Sequence, residues 1–340
     1  MASSPRDSSP PWLQSAERRA PVAAGEERLL SLLDHGDPQP AEVERLRPAF
    51  PWRLQIQTTS FCQAACVTCP WPETRSTQEQ GRMEEGMFRT LLDQCRGREI
   101  RRVGLYLQNE PLLDPRLPAW TALAREALPE AVLHLYTNGW LLTPDSAAAL
   151  EEAGLDEIHV SLLAADPVLV ERYAPGTPLP AILHTLDLLA AERRSEQGGR
   201  LRLRIAVLDL PGAVASLAPW AERWKDAGFA LDLAPVGNRA GAVGRPRPGR
   251  RLPVPCHLPF TKACILWNGQ VLLCASDWRR QGVVGDLRHQ SLEEIWNGAV
   301  LQRYRERLLA GHPEPGAPCF RCDHPLRRWQ ALYGGSGLAV

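Results

Sequence analysis

From Arg53 onward the chain repeats one pattern: a short run with apolar residues at alternate or nearly all positions, then a longer run with apolar residues three and four apart. The first spacing suits a strand and the second an amphipathic helix. Residues 53–59 (RLQIQTT) predict the first strand and 83–95 the first helix of this series. The pattern continues with strands over 102–107, 132–136, 157–162 and 202–208, and helices over 116–127, 144–153 and 180–194. A helix over 214–227 and a strand over 230–235 complete it. Six strands separated by helices call for right-handed crossovers and a parallel sheet. The expected class is α/β, a partial (β/α)6 barrel with its chemistry at the carboxyl ends of the strands.

The flanks read differently. Residues 1 to 22 are rich in Ser, Pro and Arg, a flexible lead-in, and Leu29, Leu30, Leu32 and Leu33 mark a short helix stopped by Gly36-Asp37-Pro38. These occupy 1–50, and the barrel 51–241. Residues 242–255 (AVGRPRPGRRLPVP) are a Pro, Gly and Arg-rich linker to a second module over 256–326, with a tail over 327–340. Within the module, ILWNGQVLLC holds two apolar runs joined by Asn268-Gly269, a hairpin signal. Ser291 to Trp296 opens as a capped helix.

Composition narrows the chemistry. Lys+Arg and Asp+Glu both total 39, so no global field draws the chain to nucleic acid or an anionic membrane. No window reaches the roughly 18 apolar residues of a membrane span, and the first residues lack a secretory pattern. A soluble, cytoplasmic protein is expected. Nine cysteines in such a chain indicate metal or redox chemistry, not a disulfide framework.

Three of them, Cys62, Cys66 and Cys69, stand at C-x3-C-x2-C directly after the first strand. Such spacing suits a structural zinc ion completed by a fourth ligand, or a [4Fe-4S] cluster with one iron left open to a small molecule. Cys256, Cys264, Cys274, Cys319 and Cys322 form a second group beyond the linker. Cys95, at a helix end, is structural.

The first triplet resembles the defining loop of the radical S-adenosylmethionine (SAM) superfamily. The later cysteines resemble that superfamily's C-terminal SPASM extension, in its shortened "twitch" form. The resemblance spans about 53–324 and implies that Cys62, Cys66 and Cys69 hold a [4Fe-4S] cluster whose open iron chelates SAM. It further implies that Cys256, Cys274, Cys319 and Cys322 hold an auxiliary [4Fe-4S] cluster. Gln108-Asn109-Glu110-Pro111 is similar to the family's Gly-Gly-Glu-Pro element, so Glu110 and Asn109 are candidates for the methionine end of SAM. Two side-chain-bearing residues replace the glycines there, which removes their freedom of backbone approach. By the same resemblance Asn138 and Ser161, at later strand ends, are candidates for SAM, with Ser161 at the ribose; Asn138 also suits a plain turn.

Three further residues are candidates for the reaction itself. Arg239, after the sixth strand, either points into the barrel mouth or is a surface arginine. Asp277, three residues past Cys274, either faces substrate or caps an exposed turn. Cys264 is a buried small hydrophobe, a fifth ligand-side thiol or a hydrogen-atom donor. His257 is an additional proton-handling candidate. The resemblance implies a radical SAM oxidoreductase that takes a hydrogen from a small hydroxyl-rich metabolite, an aminocyclitol, sugar or nucleoside of natural-product biosynthesis, and gives an electron to the auxiliary cluster. Flavodoxin or ferredoxin would supply the reducing electron. Alternatives are an epimerase or decarboxylase of similar substrates, a SPASM peptide-modifying enzyme, for which about 50 leading residues leave little room for a leader-binding module, or a non-catalytic iron-sulfur or zinc-stapled protein.

Overall fold

A computed structural model describes residues 10, 12–15, 24–35, 38–195, 199–245 and 251–333. Ten strands form one sheet: β1 (Gln14–Ser15), β2 (Arg53–Ile56), β3 (Arg102–Gly104), β4 (Val132–Thr137), β5 (Glu157–Ser161), β6 (Arg202–Leu208), β7 (Ala230–Ala234), β8 (Lys262–Ile265), β9 (Gln270–Leu272) and β10 (Val283–Asp286). Their order is β1-β7-β6-β5-β4-β3-β2-β8-β9-β10. Strands β2 to β7 run parallel in sequence order, the six expected barrel strands, and β2 and β7 are not neighbours, so the barrel stays open.

Alternation along these strands sorts two faces. Leu54, Ile56, Val103, Leu133, Leu135, Ile158, Val160, Ile205 and Val207 are buried in the main apolar core. Helices Glu85–Cys95, Leu117–Ala127, Pro144–Glu152, Leu179–Ser195 and Ala218–Asp226 pack in succession, each against the next. Phe88 meets Trp120 edge-on at 4.3 Å between the first two. The opposite phase of the strands is polar: Gln55, His134, His159 and Asp232 are buried there, with Tyr136 stacked on His159 at 4.2 Å.

Several boundaries differ from the sequence expectation. The fifth helix breaks into Ala213–Ser216 and Ala218–Asp226, because Pro219 lacks the amide a continuous helix needs and sits instead in the second segment's first turn. A helix over Pro167–Tyr173, capped by Asp166 accepting from the amides of Val168 and Leu169, went unpredicted. The lead-in is partly structured: Trp12 is buried and β1 pairs parallel with β7, while residues 1–9 and 16–23 lie outside the described residues. Helix His324–Tyr333 runs across the expected start of the tail at 327, and 334–340 lie outside the described residues, as do 246–250 of the linker.

The second module continues the barrel sheet. β8 pairs in parallel with β2, Arg53 opposite Lys262 and Gln55 opposite Cys264. β9 and β10 then add antiparallel, joined to β8 through Gly269, whose φ of 87° is the left-handed conformation the Asn-Gly turn requires. Ser291 and Glu294 form the capping box that starts Leu292–Asn297.

Candidate active site

Beyond β2 the chain enters the loop that carries Cys62, Cys66 and Cys69, and its backbone is fixed from several sides. The amide of Met83 donates to the Thr58 carbonyl at 2.8 Å, that of Glu110 to Phe61 at 2.9 Å and that of Val67 to Tyr173 at 2.9 Å. Trp71, opening a short helix over Trp71–Thr74, donates its indole N–H to the Cys62 carbonyl at 2.8 Å and its amide to the Cys69 sulfur at 3.5 Å. The Asn138 side-chain amide lies 3.9 Å from the Cys62 sulfur. Burial pushes the Cys62 thiol up to about 12 and Cys66 to about 11, and raises Cys69. The neighbouring thiols add to the shift at Cys62 and Cys66, so ligation must displace their protons.

Glu110 is buried beneath this loop. One carboxylate oxygen accepts from the Thr137 hydroxyl at 2.7 Å and the Leu112 amide at 3.1 Å; the other accepts from the Asn138 amide at 2.7 Å. Gln108 takes a φ of 55°, so it holds the left-handed conformation for which glycine is usually needed. Asn109 accepts the Leu107 amide at 2.7 Å and leaves its side-chain N–H2 buried without a protein partner, as are the hydroxyls of Thr58 and Thr59. Ser161 closes β5, half-buried, opposite Ala206 of β6.

Burial pushes the Glu110 carboxyl up from 4.5 to about 7, and the donors from Asn138, Thr137 and Leu112 only partly oppose it. A raised carboxyl favours the proton-bearing folded state. Its contribution is whole below pH 4.5 and is lost as pH rises toward 7, up to about 3 kcal/mol. Metal-free and SAM-free protein is expected to melt lower at pH 8 than at pH 6, and Glu110→Ala to flatten that slope in a thermal scan at both pH values.

Arg239 sits where the barrel strands end. It and Ala240 both have left-handed backbones, φ 48° and 57°, an arrangement costly for residues with a Cβ and held by Asn238, whose side chain accepts the Gly241 amide at 3.2 Å. The guanidinium donates to the Thr68 carbonyl at 3.4 Å and pulls the Cys66 and Cys69 thiols back down. It belongs to the cysteine loop's surroundings, not to an isolated surface.

Cys256, Cys274, Cys319 and Cys322 come together from β9's end, the segment before β8 and the single-turn helix Pro318–Arg321. All four are buried, and burial followed by neighbouring thiols of the set raises the proton affinity of Cys256, Cys274 and Cys319. Their surroundings supply N–H groups to sulfur: His324 to Cys322 at 3.5 Å, and the Ala240 amide to Cys322 as well. Among the described residues no three His, Cys, Asp or Glu side chains converge on one ion. A tetrahedral zinc needs all its ligands within about 2.3 Å of one point, whereas a cube spreads its thiolates over four irons. Three thiols on one loop and four in the second set are the ligand counts of an open and a closed [4Fe-4S] cube.

Asp277 is not the solvent-exposed turn acid that its sequence position allowed. The side chain is buried and turned back on its own loop, accepting the Gln281 amide at 3.0 Å and the Gly282 amide at 2.7 Å. Cys264 is fully buried with Leu107, Leu266 and Leu272, its sulfur 3.9 Å from the Gln55 side-chain oxygen. His257 is buried, its ring 5.6 Å from that of His324.

Side chains tie the two cysteine sets into one scaffold. Gln108 donates to the Ala275 carbonyl at 2.9 Å, and Gln78 donates to the carbonyl of Trp278. Asn238 donates to the Arg321 carbonyl at 2.8 Å and exchanges hydrogen bonds with Asp323.

The radical SAM superfamily model matches residues 56–196, and the model of the SPASM iron-sulfur cluster-binding domain matches residues 256–323. The chain carries a radical SAM domain followed by a SPASM domain. This radical SAM enzyme is 22% identical over 272 residues to the S-adenosyl-L-methionine-dependent 2-deoxy-scyllo-inosamine dehydrogenase of Niallia circulans, covering 80% of this chain and 92% of that one. It is 35% identical over 211 residues to the GTP 3',8-cyclase of Synechococcus sp. (strain CC9902), 55% of this chain and 57% of that one. The crystal structure of BtrN in complex with AdoMet and 2-DOIA superposes with a TM-score of 0.56 at 21% identity, covering 81% of this chain and 93% of that chain, which supports the fold. No helix among the described residues is long and apolar enough to cross a membrane.

Sequence reading missed the polar inner face of this enzyme's barrel. Tyr106, His134, Tyr136 and His159 form a contiguous ring cluster, with centroids 4.2 to 6.0 Å apart. Glu157 joins His159 at 3.1 Å to Arg102 and Arg202, and Arg204 grips Asp232 with two 2.6 Å bonds. Burial lowers both histidines' proton affinity, so their rings are neutral. The signal was present as polar residues at alternate positions of VLHLYT, EIHVS and RLRIAVL.

Proposed function

We propose that this radical SAM enzyme oxidises a carbinol carbon of a small hydroxyl-rich molecule, of the aminocyclitol or sugar class, to a ketone. The observation that carries the reading is the pairing of two cysteine sets, three thiols at the barrel mouth and four enclosed beside it, within one scaffold. The likeness to the inosamine dehydrogenase over nearly that protein's full length supports the substrate class. When loaded, the first cluster supplies reductive cleavage of SAM to a hydrogen-abstracting radical, and the second a sink for one electron.

The chain's residues do the rest. Glu110, buried and reluctant to ionise alone, gains its charge against the ammonium of SAM, with the unpartnered Asn109 amide beside it. Ser161 meets the ribose hydroxyls. Arg239 orients the carbinol oxygen and stabilises its developing negative charge as the hydroxyl proton leaves. Neutral histidines and tyrosines of the inner face donate and accept toward substrate hydroxyls. A flavodoxin or ferredoxin delivers the electron that starts each turnover.

The reaction removes two hydrogens from substrate, one as an atom and one as a proton, and one electron leaves with them. The test is anaerobic turnover of 2-deoxy-scyllo-inosamine, with ketone and 5'-deoxyadenosine quantified. One ketone for each 5'-deoxyadenosine is the expected result, whereas an inverted alcohol at unchanged oxidation level would replace dehydrogenation by epimerisation.

A further inference from the structure

Lys262 opens β8, and its ammonium lies 3.2 Å from the side-chain oxygen of Gln55. The antiparallel register sets Cys264 against Leu272, and Cys274 follows two residues after β9 ends. Lys262 shares a strand face with Cys264, and the Cys264 and Cys274 thiols both act on its charge. Among the described residues Lys262 makes no ion pair with a carboxylate. The nearby cations are supplied: Arg53 and Arg101 share Glu26, and Arg102 pairs with Glu157. Asp277, the acid next to Cys274 in sequence, is spent on its own loop amides. A half-buried cation beside a neutral amide is unfavourable unless negative charge reaches it.

Resting on the reading that Cys256, Cys274, Cys319 and Cys322 hold an auxiliary [4Fe-4S] cluster, we propose that Lys262 is the internal counter-ion of that cluster and sets its reduction potential. Four thiolates leave an oxidised cube with net negative charge, and the electron it accepts adds another. A fixed ammonium beside one ligand sulfur favours the more negative state, and net charge and hydrogen bonding are among the levers on such potentials. Gln55 holds the ammonium in place by accepting one of its hydrogens and leaves the others for the cluster side. In this role Lys262 acts through the charge of the cluster and not on substrate or SAM, as a positioning residue.

The test uses the full chain carrying Cys62→Ala, Cys66→Ala and Cys69→Ala, which isolates the auxiliary cluster, with Lys262 intact or replaced by Met, Gln or Arg. Iron content and an EPR-monitored redox titration are measured for each. Lys262→Met and Lys262→Gln are expected to retain iron and to accept an electron at least tenfold less readily, a negative shift of about 59 mV for one electron. Lys262→Arg should stay near the parent. An unshifted potential in iron-loaded Met and Gln variants, or an Arg variant shifted as far as Met, overturns the counter-ion role while leaving the auxiliary cluster standing. A parent chain without iron overturns the reading beneath it. If the Met variant fails to take up iron, the polar, uncharged Gln variant carries the comparison.

Discussion

Replacing Cys62, Cys66 and Cys69 together by alanine is expected to cut the iron of anaerobically reconstituted protein from about eight atoms to about four, each cube holding four. Formation of 5'-deoxyadenosine should fall below detection in the same samples. The reason is spatial. The first set lies on one loop pinned by Met83, Glu110, Val67 and Trp71, whereas the second is assembled from separate segments tied to the barrel by the β2–β8 pairing and by Gln78, Gln108 and Asn238. Removing three thiols from the loop leaves those segments with their own contacts. Wild-type protein with about four irons and a variant with none would mean that the C-terminal thiols hold no cluster; an electron-neutral reaction would then be the better reading.

The complementary variant, Cys319→Ala with Cys322→Ala, should also retain about four irons but fail differently. Cleavage of SAM should survive, because the loop and Glu110 are untouched, while ketone formation drops by roughly 100-fold or more, an effect on the chemical step and not on binding. The scaffold is expected to hold, since Asp323 keeps its exchange with Asn238 and Phe320 lies between the altered positions. Assays of 5'-deoxyadenosine and ketone side by side separate the two. Undiminished ketone in a protein shown to lack the second cluster would remove that cluster from the oxidation.

What could be read from residues alone was what local spacing records. The strand and helix periods of 53–235, the Cys loop, the Asn268-Gly269 turn and the Ser291 cap all depend on residues within a few positions of one another. Pairing over long separations left no such trace: nothing near Lys262 announces that it will lie beside Arg53, and nothing near Gln14 announces β7. Side-chain direction was equally silent. Asp277 reads as a free acid until the fold turns it onto its own amides, and Gln108 reads as a lost glycine until its φ is seen. The inner polar face lay between: its alternation was legible, but only the barrel gives that alternation an inside.

The strand order has a consequence for how the chain is made. β2 is among the first barrel strands to leave the ribosome, yet one of its two neighbours, β8, lies more than two hundred residues later. Until residue 262 emerges, that side of β2 presents unpaired amides and carbonyls, the kind of edge that recruits other strands. At the far side β7 must wait for nothing, because β1 is already synthesised. The sheet is therefore closed at one margin by its earliest segment and at the other by a late one. Completion of the barrel edge and creation of the four-thiol site become a single late event, so a nascent chain stalled before β8 would be both aggregation-prone and unable to retain the second set of iron atoms.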